Sequence, residues 1–337
     1  MKILIVASTM VHIKNFHIPY IDKLKELGHE VFVLAGGEGA DYNIPFKKRT
    51  LSIKNLLLVS KIKKILKTEK FDAVYLHTTL AAFYVRLAMK KLKNRPYVIN
   101  TVHGYLFPKN EKGLKKKIYL KCEKVLKNQT DDIFVMNQED YEIATENQLC
   151  TKKMYKINGM GISLKNENTD KKNNDFINLT FVGEISSRKN QEFLVKALKE
   201  IPNAKLTLVG DGNNKNKILK LAKRLNVANR LEITGFTKQV YKYLSQTDIY
   251  VSASKIEGLP FNILEAMSMK LPIVASNIKG HVDLLPNDCL FELDNMQEFV
   301  KKVKEIQITY KAYDLEKYKL ENTLAQNIEL YLSSMNL

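Results

Sequence analysis

The sequence has few cysteines and no long apolar run, and both absences narrow the kinds of protein that it can encode. Its three cysteines, Cys122, Cys150 and Cys289, lie far apart and match no metal-ligand spacing, which is typical of a protein in a reducing compartment. No segment approaches the roughly 18 apolar residues that a membrane-spanning helix needs. The opening MKILIVASTM is too short for a signal peptide and predicts a buried first strand. We therefore expect a cytoplasmic protein.

The composition is that of a basic globular protein. The chain has 337 residues, enough for two domains, and its hydrophobic content of 45% supports well-filled cores. Of the formal net charge of +18, a net +14 falls within residues 1–160. This asymmetry indicates an anionic partner or surface for the first half, although a lysine-rich genome would give the same excess.

Strand-like runs alternate with helical patterns along the whole chain, which predicts parallel sheets built from βαβ units. The predicted strands are Lys2–Ala7, Glu30–Ala35, Ala73–His77, Tyr97–Val102, Ile133–Met136, Ile177–Val182, Lys205–Val209, Leu231–Thr234, Asp248–Ser252 and Leu271–Ala275. The polar run Ser163–Phe176 reads as a linker between two doubly wound α/β domains. We place these domains at residues 1–160 and 161–312, followed by a helical segment over residues 313–337.

The densest motif is KIEGLPFNILEAMSMKLPIVAS, residues Lys255–Ser276. Seven residues separate Glu257 from Glu265, so a helix with 3.6 residues per turn points both to one side, with Glu265 about two turns in. Gly258 allows a ligand to approach the backbone closely, and Pro260 suits the first helical position.

The backbone N–H groups of Phe261 and Asn262 would then form an anion site at the positive end of the helix dipole. An anion site flanked by two carboxylates suits a phosphate joined to a hydroxyl-rich group, as in a sugar nucleotide. The alternative is an ordinary amphipathic helix whose acidic side chains are solvated.

The E-G-L-P turn, the following LEAM and the closing LPIVAS together resemble the E-x7-E signature of retaining glycosyltransferases of family 4, with the GT-B fold. The segments FHIPYIDKLKELGHEV and TVHGYLF look like the branch found in bacterial capsule and exopolysaccharide clusters. The resemblance implies two Rossmann-like domains facing across a cleft, with a C-terminal helix that crosses back to the first. It also implies transfer of a hexose or N-acetylhexosamine from a UDP-sugar to a hydroxyl acceptor with retention.

The same resemblance assigns roles in the second half. Glu265 would accept hydrogen bonds from the ribose hydroxyls, and Glu257 would lie nearer the diphosphate and the transferred sugar. Arg188 and Lys189 would grip the diphosphate, because Arg offers a bidentate fork and Lys a point charge. Glu184 occupies a position where the family usually has Arg; a solvated basic pair at a helix start is the alternative. The implied donor-binding residues are Gly183, Arg188, Lys189, Gly210, Phe236, Gly258, Leu259, Pro260, Phe261 and Glu265.

Three histidines are weighed as candidate functional residues. His103 follows a predicted buried strand and, by the resemblance, orients a hydroxyl of the donor sugar, which makes it a catalytic candidate beside Glu257. His17 opens the first predicted helix and is a candidate for the acceptor side, with a capping or surface role as the alternative. His281 reads as a surface-loop histidine.

The segment Lys109–Lys127 carries eight lysines and two glutamates. Leu114, Ile118, Cys122 and Val125 form one helical stripe, so a basic amphipathic helix could lie on an anionic membrane. Alternatively the stripe packs on the core of its own domain. Many relatives modify lipid-linked acceptors, which favours contact with the inner face of the cell membrane.

No D-x-D run is present to hold a metal-bound diphosphate, so we expect no metal and no cofactor beyond the nucleotide-sugar co-substrate. Two other functions fit the sequence less well. A sugar-nucleotide 2-epimerase would share the architecture but would need no acceptor. A nucleic-acid-binding protein is suggested only by the charge, and no recognised binding motif supports that partner.

Overall fold

The computed structural model describes residues 1–47, 52–163, 176–306 and 313–335. Two units divide the chain: Met1–Gly161 with Lys317–Leu337, and Ile162–Glu316. The sequence prediction drew its boundary between residues 160 and 161 and began the last segment at residue 313. Most of the predicted linker, residues 164–175, lies outside the described residues.

Within its described part, the first unit contains a seven-stranded, all-parallel sheet. Its strands are β1 (Lys2–Thr9), β2 (Glu30–Gly36), β3 (Tyr42–Asn43), β4 (Ala73–His77), β5 (Tyr97–Val102), β6 (Asp132–Val135) and β7 (Met154–Lys156). The spatial order is β3-β2-β1-β4-β5-β6-β7. The sequence prediction missed β3 and β7, because strands of two or three residues are too short to show a period.

Helices of the first unit connect these strands. They are α1 (Met10–Phe16), α2 (Ile18–Glu26), α3 (Ile53–Glu69), α4 (Thr79–Met89), α5 (Leu114–Leu126) and α6 (Gln138–Glu146). The C-terminal helix α12 (Leu320–Ser333) packs on α2. Its buried Asn327 donates hydrogen bonds to the Tyr20 hydroxyl at 3.0 Å and to the Gly159 carbonyl at 2.8 Å. The last helix is therefore part of the first unit.

The second unit has a parallel sheet of six strands over its described residues. They are β8 (Ile177–Val182), β9 (Ala204–Val209), β10 (Leu231–Gly235), β11 (Ile249–Ser252), β12 (Ile273–Ser276) and β13 (Leu290–Phe291). The helices are α7 (Gln191–Glu200), α8 (Lys215–Arg224), α9 (Val240–Leu244), α10 (Phe261–Ser268) and α11 (Met296–Glu305). All residues of β11 and β12 are buried, as expected for parallel strands covered on both faces. On one face Phe193, Phe291 and Phe299 pack with ring centroids 5.0 to 5.4 Å apart.

Both sheets reverse their strand order at one place. The second sheet runs β10-β9-β8-β11-β12-β13, so the reversal lies between β8 and β11; in the first sheet it lies between β1 and β4. At such a switch point the loops from adjacent strands leave in opposite directions and open a crevice at the carboxyl ends, where doubly wound sheets bind ligands. The two candidate sites below lie at these two points.

Candidate active site

An acidic side chain and two basic ones meet at the switch point of the second unit. The Glu257 loop follows β11, and the loop with Arg188 and Lys189 follows β8. Glu257 Oε1 lies 2.5 Å from Lys189 Nζ, and Glu257 Oε2 lies 2.9 Å from Arg188 Nη1. Arg188 Nη1 also donates to the Ile256 carbonyl at 3.1 Å. The sheet topology therefore unites residues that the sequence analysis assigned separately, and the pair is not merely solvated.

The electrostatics of this trio follow from burial and pairing. Burial by itself would raise the pKa of Glu257, but the neighbouring Lys189 and Arg188 outweigh it and hold the pKa below its usual value. Burial lowers the pKa of Lys189, with Glu257 opposing that effect. Glu257 is therefore ionised at neutral pH. The trio carries a net positive charge, which suits an anionic ligand.

Helix α10 is anchored beside the end of β8. Asn262 Nδ2 donates to the Val182 carbonyl at 2.8 Å, and Asn262 Oδ1 accepts from the Ile263 amide at 3.1 Å. Pro260 is the N-cap and not the first helical residue as predicted, so Phe261 begins the helix. Glu265 accordingly lies one turn into the helix and not two.

Glu265 is a partly buried acid on α10. Burial raises its pKa from an ordinary 4.5 to about 7. Such a carboxylate gains from ligand hydroxyls that would hydrogen-bond to its charged form, because that form is poorly solvated in the absence of a ligand.

Close backbone packing shapes the crevice at the ends of β8 and β9. Gly210 has a φ of +151°, and a Cβ there would fall far inside van der Waals contact with the Gly183 carbonyl oxygen. Gly183 has a φ of +144°. These glycines let two strand ends approach each other closely and leave the crevice free of side chains there.

The second unit corrects one sequence prediction. His281 is fully buried and is not a surface-loop residue. Its Nδ1–H donates to the Ser276 carbonyl at 2.8 Å, and its Nε2 lies 3.4 Å from Ser252 Oγ. The loop is held down because Gly280 packs on the Glu257 turn, where an added Cβ would lie 2.7 Å from the Gly258 carbonyl. Sequence reasoning missed this support because nothing local in IKGHVDLL marks it as buried.

The other predicted donor-binding residues have different exposures. Phe236 follows β10 and is 83% exposed, whereas Leu259 is buried. Glu184, at the position of the expected Arg, is exposed, and its backbone carbonyl accepts from the Gln191 side chain at 2.8 Å. Arg188 reaches the Glu257 carboxylate in its place.

A cluster of histidines occupies the switch point of the first unit. His12 and His17 follow β1, His77 ends β4, and His103 follows β5. His17 is fully buried between α1 and α2, so the surface alternative is wrong; it is the N-cap residue of the second helix, although its side chain makes no capping hydrogen bond. The centroid of its ring lies 3.9 Å from that of His77, with the two ring planes tilted by 36°. Sequence reasoning missed His12 and His77, which no local motif singles out.

All four histidines are held neutral by their surroundings. Burial lowers the pKa of His12 to about 4 and that of His103 to about 3. Burial and the neighbouring imidazoles lower the pKa values of His17 and His77 well below the usual range. Neutral imidazoles keep a free lone pair, so this cluster can accept hydrogen bonds or coordinate a cation.

Comparisons with known proteins agree with this architecture. Residues 163–318 match the family model for glycosyl transferases group 1, and residues 20–155 match the model for glycosyltransferase family 4. The putative glycosyltransferase EpsD of Bacillus subtilis is 28% identical over 332 residues, covering 90% of this chain and 87% of EpsD. The chain therefore carries a glycosyltransferase family 4 domain followed by a group 1 domain.

Two further relatives of this glycosyltransferase have names that state a substrate or a pathway. The UDP-Gal:α-D-GlcNAc-diphosphoundecaprenol α-1,3-galactosyltransferase of Escherichia coli is 29% identical over 292 residues, covering 78% of this chain and 73% of that protein. The capsular polysaccharide biosynthesis glycosyltransferase CapH of Staphylococcus aureus is 25% identical over 305 residues, covering 84% of this chain and 83% of CapH.

Solved structures establish the fold of this glycosyltransferase as GT-B. The lipopolysaccharide outer core galactosyltransferase WaaB has a TM-score of 0.75 at 16% identity, with 99% of both chains covered. Anabaena HepE in complex with UDP and glucose has a TM-score of 0.73 at 18% identity, with 99% of this chain and all of that chain covered.

Helix α5 of this glycosyltransferase exposes its apolar stripe. Leu114 is 72% exposed, Ile118 44% and Val125 49%, so the alternative that these residues pack on their own core is wrong. The opposite face is buried through Glu123, whose carboxylate pairs with the buried Arg86 at 2.8 Å. Over the described residues, no helix combines the length and apolarity needed to cross a membrane.

Proposed function

We propose that this glycosyltransferase moves a hexose or N-acetylhexosamine from a UDP-sugar to a hydroxyl of a lipid-linked saccharide, with retention of the anomeric configuration. The observation that carries the proposal is the trio of Glu257, Lys189 and Arg188 at the switch point of the second unit. The Escherichia coli relative, whose name gives UDP-Gal as donor and a diphosphoundecaprenol-linked sugar as acceptor, supports the choice of substrates.

The donor would bind along the carboxyl ends of the second sheet. Glu265 accepts hydrogen bonds from the two ribose hydroxyls, which would compensate for its poor solvation. The ligand backbone passes close to Gly183 and Gly210, where no side chain obstructs it. Phe236, exposed after β10, provides an aromatic face for the base. The remaining donor residues, Gly258, Leu259, Pro260 and Phe261, form the turn into α10.

The chemistry follows from the charge that builds on the departing diphosphate. Arg188 and Lys189 stabilise this charge, together with the N-terminal end of α10. Glu257 holds both cations in position, so they do not need to reorganise when the charge develops. The departing phosphate accepts the proton of the acceptor hydroxyl on the same face of the sugar, which gives retention. No bound metal takes part in this step.

In the first unit, His103 orients a hydroxyl of the transferred sugar and does not act as a nucleophile. Because burial keeps its pKa near 3, His103 is neutral and acts as a hydrogen-bonding group. His17 lies in the same cluster, and the acceptor side is assigned to this unit.

We also propose that α5 docks the enzyme on the inner face of the cell membrane, where a lipid-linked acceptor would be found. Its exposed stripe of Leu114, Ile118 and Val125 is flanked by lysines that complement anionic lipids. Lys109 does not add to this charge, because it pairs with Glu142 at 2.8 Å and Glu146 at 2.6 Å. The docking segment is thus the helix Leu114–Leu126 and not the whole basic run.

A thermal-shift screen of UDP-, GDP- and ADP-sugars tests the donor site. UDP-sugars should raise the melting temperature of the wild type and leave Glu265→Ala unshifted; Glu200→Gln, at the exposed end of α7 in the same unit, serves as the matched control and should respond as wild type. If no nucleotide sugar shifts the wild type, or if Glu265→Ala responds equally, the assignment of α10 is wrong.

Product analysis tests the reaction itself. Incubated with UDP-sugar alone, a transferase gives slow hydrolysis, whereas a 2-epimerase gives a new sugar nucleotide. With an undecaprenyl-diphosphate-linked sugar as acceptor, the proposal expects an α-linked product from an α-linked donor. A β-linked product would refute retention and leave the donor site unaffected.

A further inference from the structure

The histidine cluster of the first unit has a feature that sugar transfer does not explain. Four of the six histidines of the chain gather at the switch point between β1 and β4. His12 and His103 rings are 5.0 Å apart, His12 and His17 rings 5.0 Å, and His17 and His103 rings 6.1 Å. A sugar hydroxyl needs one such group. Three converging imidazoles indicate a ligand with several bonds to make.

Several ring nitrogens of this cluster lack hydrogen-bond partners among the described residues. His17 is fully buried, and neither its Nδ1 nor its Nε2 has a hydrogen-bond partner among the described residues. The Nε2 atom of His12 is in the same state. The contact between His103 Nε2 and His77 Nδ1 is 3.5 Å, at the outer limit for a hydrogen bond. Leaving buried polar atoms unpaired is unfavourable, so the arrangement favours an additional partner.

The ligand atoms already converge. One nitrogen from each of His12, His17 and His103 lies within 4.8 Å of the other two. Around a tetrahedral ion with metal–nitrogen bonds of about 2.0 Å, the nitrogens would be about 3.3 Å apart, so each ring needs to move by roughly 1 Å or less. Side-chain rotation about existing torsions provides such a movement.

We propose that His12, His17 and His103 bind a divalent transition-metal ion, with Zn²⁺ as the expected occupant. Imidazole is a preferred ligand of Zn²⁺, and three protein ligands leave a fourth position for water or an anionic oxygen. The ring of His77 lies against that of His17, with the two centroids 3.9 Å apart, so it restricts the orientation of that ligand.

The site is separate from the diphosphate chemistry proposed for the second unit. The lack of a D-x-D run bears only on a metal held beside the diphosphate and not on a site made of imidazoles. Coordination uses one nitrogen of His103 and leaves the other for a hydroxyl group. The metal site therefore neither depends on the proposed function nor contradicts it.

Metal titration of the full chain, purified without a histidine tag and stripped with a chelator, tests the proposal. Co²⁺, which gives visible absorption bands in a tetrahedral site, should bind with one equivalent, and Zn²⁺ should displace it. Because each variant removes a ligand, His12→Ala and His103→Ala should each weaken Co²⁺ binding at least about tenfold. His29→Ala, in the same unit but outside the cluster, should bind as wild type.

Two results would overturn the proposal. One is a wild-type protein that shows no Co²⁺ absorption and no Zn²⁺-dependent rise in melting temperature. That result is expected if the cluster holds only water. The other is retention of wild-type metal affinity by both His12→Ala and His103→Ala. These half-buried positions avoid the folding risk of changing the buried His17. Neither measurement needs a sugar nucleotide. A failure of the metal-site proposal can therefore be told apart from a failure of the transferase assignment.

Discussion

The Lys189 ammonium lies 2.5 Å from the Glu257 carboxylate, although 68 positions separate the two residues in the chain. Both side chains are nearly inaccessible to solvent, and Arg188 completes the arrangement from a more exposed position. The contact joins the loop after β8 to the loop after β11, the two loops that leave the sheet where its strand order reverses. The ion pair thus organises the crevice even without a ligand.

Removing the acid from this pair should destabilise the protein. Glu257→Gln leaves Lys189 buried without its counter-charge, and we expect the free energy of unfolding in urea to fall by about 3 kcal/mol. The double variant Lys189→Met/Glu257→Gln should recover part of the loss, because it removes both buried charges. As a matched control, Lys217→Met breaks the exposed pair with Glu192 and should change stability by less than about 1 kcal/mol. A Glu257→Gln protein as stable as wild type would contradict the central role of this pair.

Glu265 should make stability depend on pH. Its folded pKa, about 7, is above the value of 4.5 expected for an unfolded chain, so the folded state holds the proton longer. The wild type should therefore lose stability relative to Glu265→Gln as the pH rises from about 4.5 to 7, by about 3 kcal/mol. Thermal melting of both proteins at pH 4 and pH 8 measures this: equal stability at pH 4 and a more stable Gln variant at pH 8 are expected. A stability difference that does not change with pH would be evidence against the raised pKa.

Donor binding should show the opposite trend at the same residue. The ionised carboxylate is the better acceptor for ribose hydroxyls, so the affinity of the wild type for UDP-sugar should rise as the pH passes through about 7. Glu265→Gln should bind more weakly at pH 8 and show a flat profile, whereas Glu200→Gln, exposed at the end of α7, should follow the wild type. Isothermal titration at several pH values makes the comparison, and parallel profiles for wild type and Glu265→Gln would refute the ribose assignment.

Gly210→Ala should disrupt the crevice more than an ordinary glycine replacement. The new Cβ would collide with the Gly183 carbonyl, which is backbone and cannot rotate away. Gly235→Ala is the matched control, because Gly235 also has a positive φ of +77° but has no atom within 4 Å of an added Cβ. We expect the free energy of unfolding of the control to fall by about 1 kcal/mol from backbone strain, and that of Gly210→Ala to fall several times more. Gly210→Ala should also lose its thermal response to UDP-sugar. Equal losses in urea denaturation would show that the two strand ends are not tightly packed.

Membrane binding should depend on the stripe of α5. Leu114→Ser/Ile118→Ser removes two exposed apolar side chains that carry no core packing, so folding should be kept while sedimentation with phosphatidylglycerol vesicles falls at least about tenfold. Leu219→Ser, an exposed leucine on α8 of the other unit, should sediment as wild type. Binding should weaken as salt rises, and phosphatidylcholine vesicles should bind little. Sedimentation of the double variant equal to that of the wild type would exclude α5 as the docking segment.

Long strands and the α10 motif were predictable because their signals are local. The strand Ile177–Val182 and the strands from Ala73 and Tyr97 were predicted with the bounds that the structure has, since fully buried parallel strands appear as continuous apolar runs. The helix after the E-G-L-P turn was also predicted, with an error of one residue at Pro260. Helix ends depend on capping geometry, which residue type alone leaves undecided.

The amino-acid order by itself determined the doubly wound class, the acidic turn and the basic pair, because apolar periodicity, glycine and proline act over a few neighbouring residues. Only the tertiary structure decided which of these groups meet. The contact of Lys189 with Glu257, the burial of His281 and the gathering of His12, His17 and His103 all depend on strand order. Strand order is set by packing between distant segments, so the spacing of neighbouring residues in the sequence does not predict it.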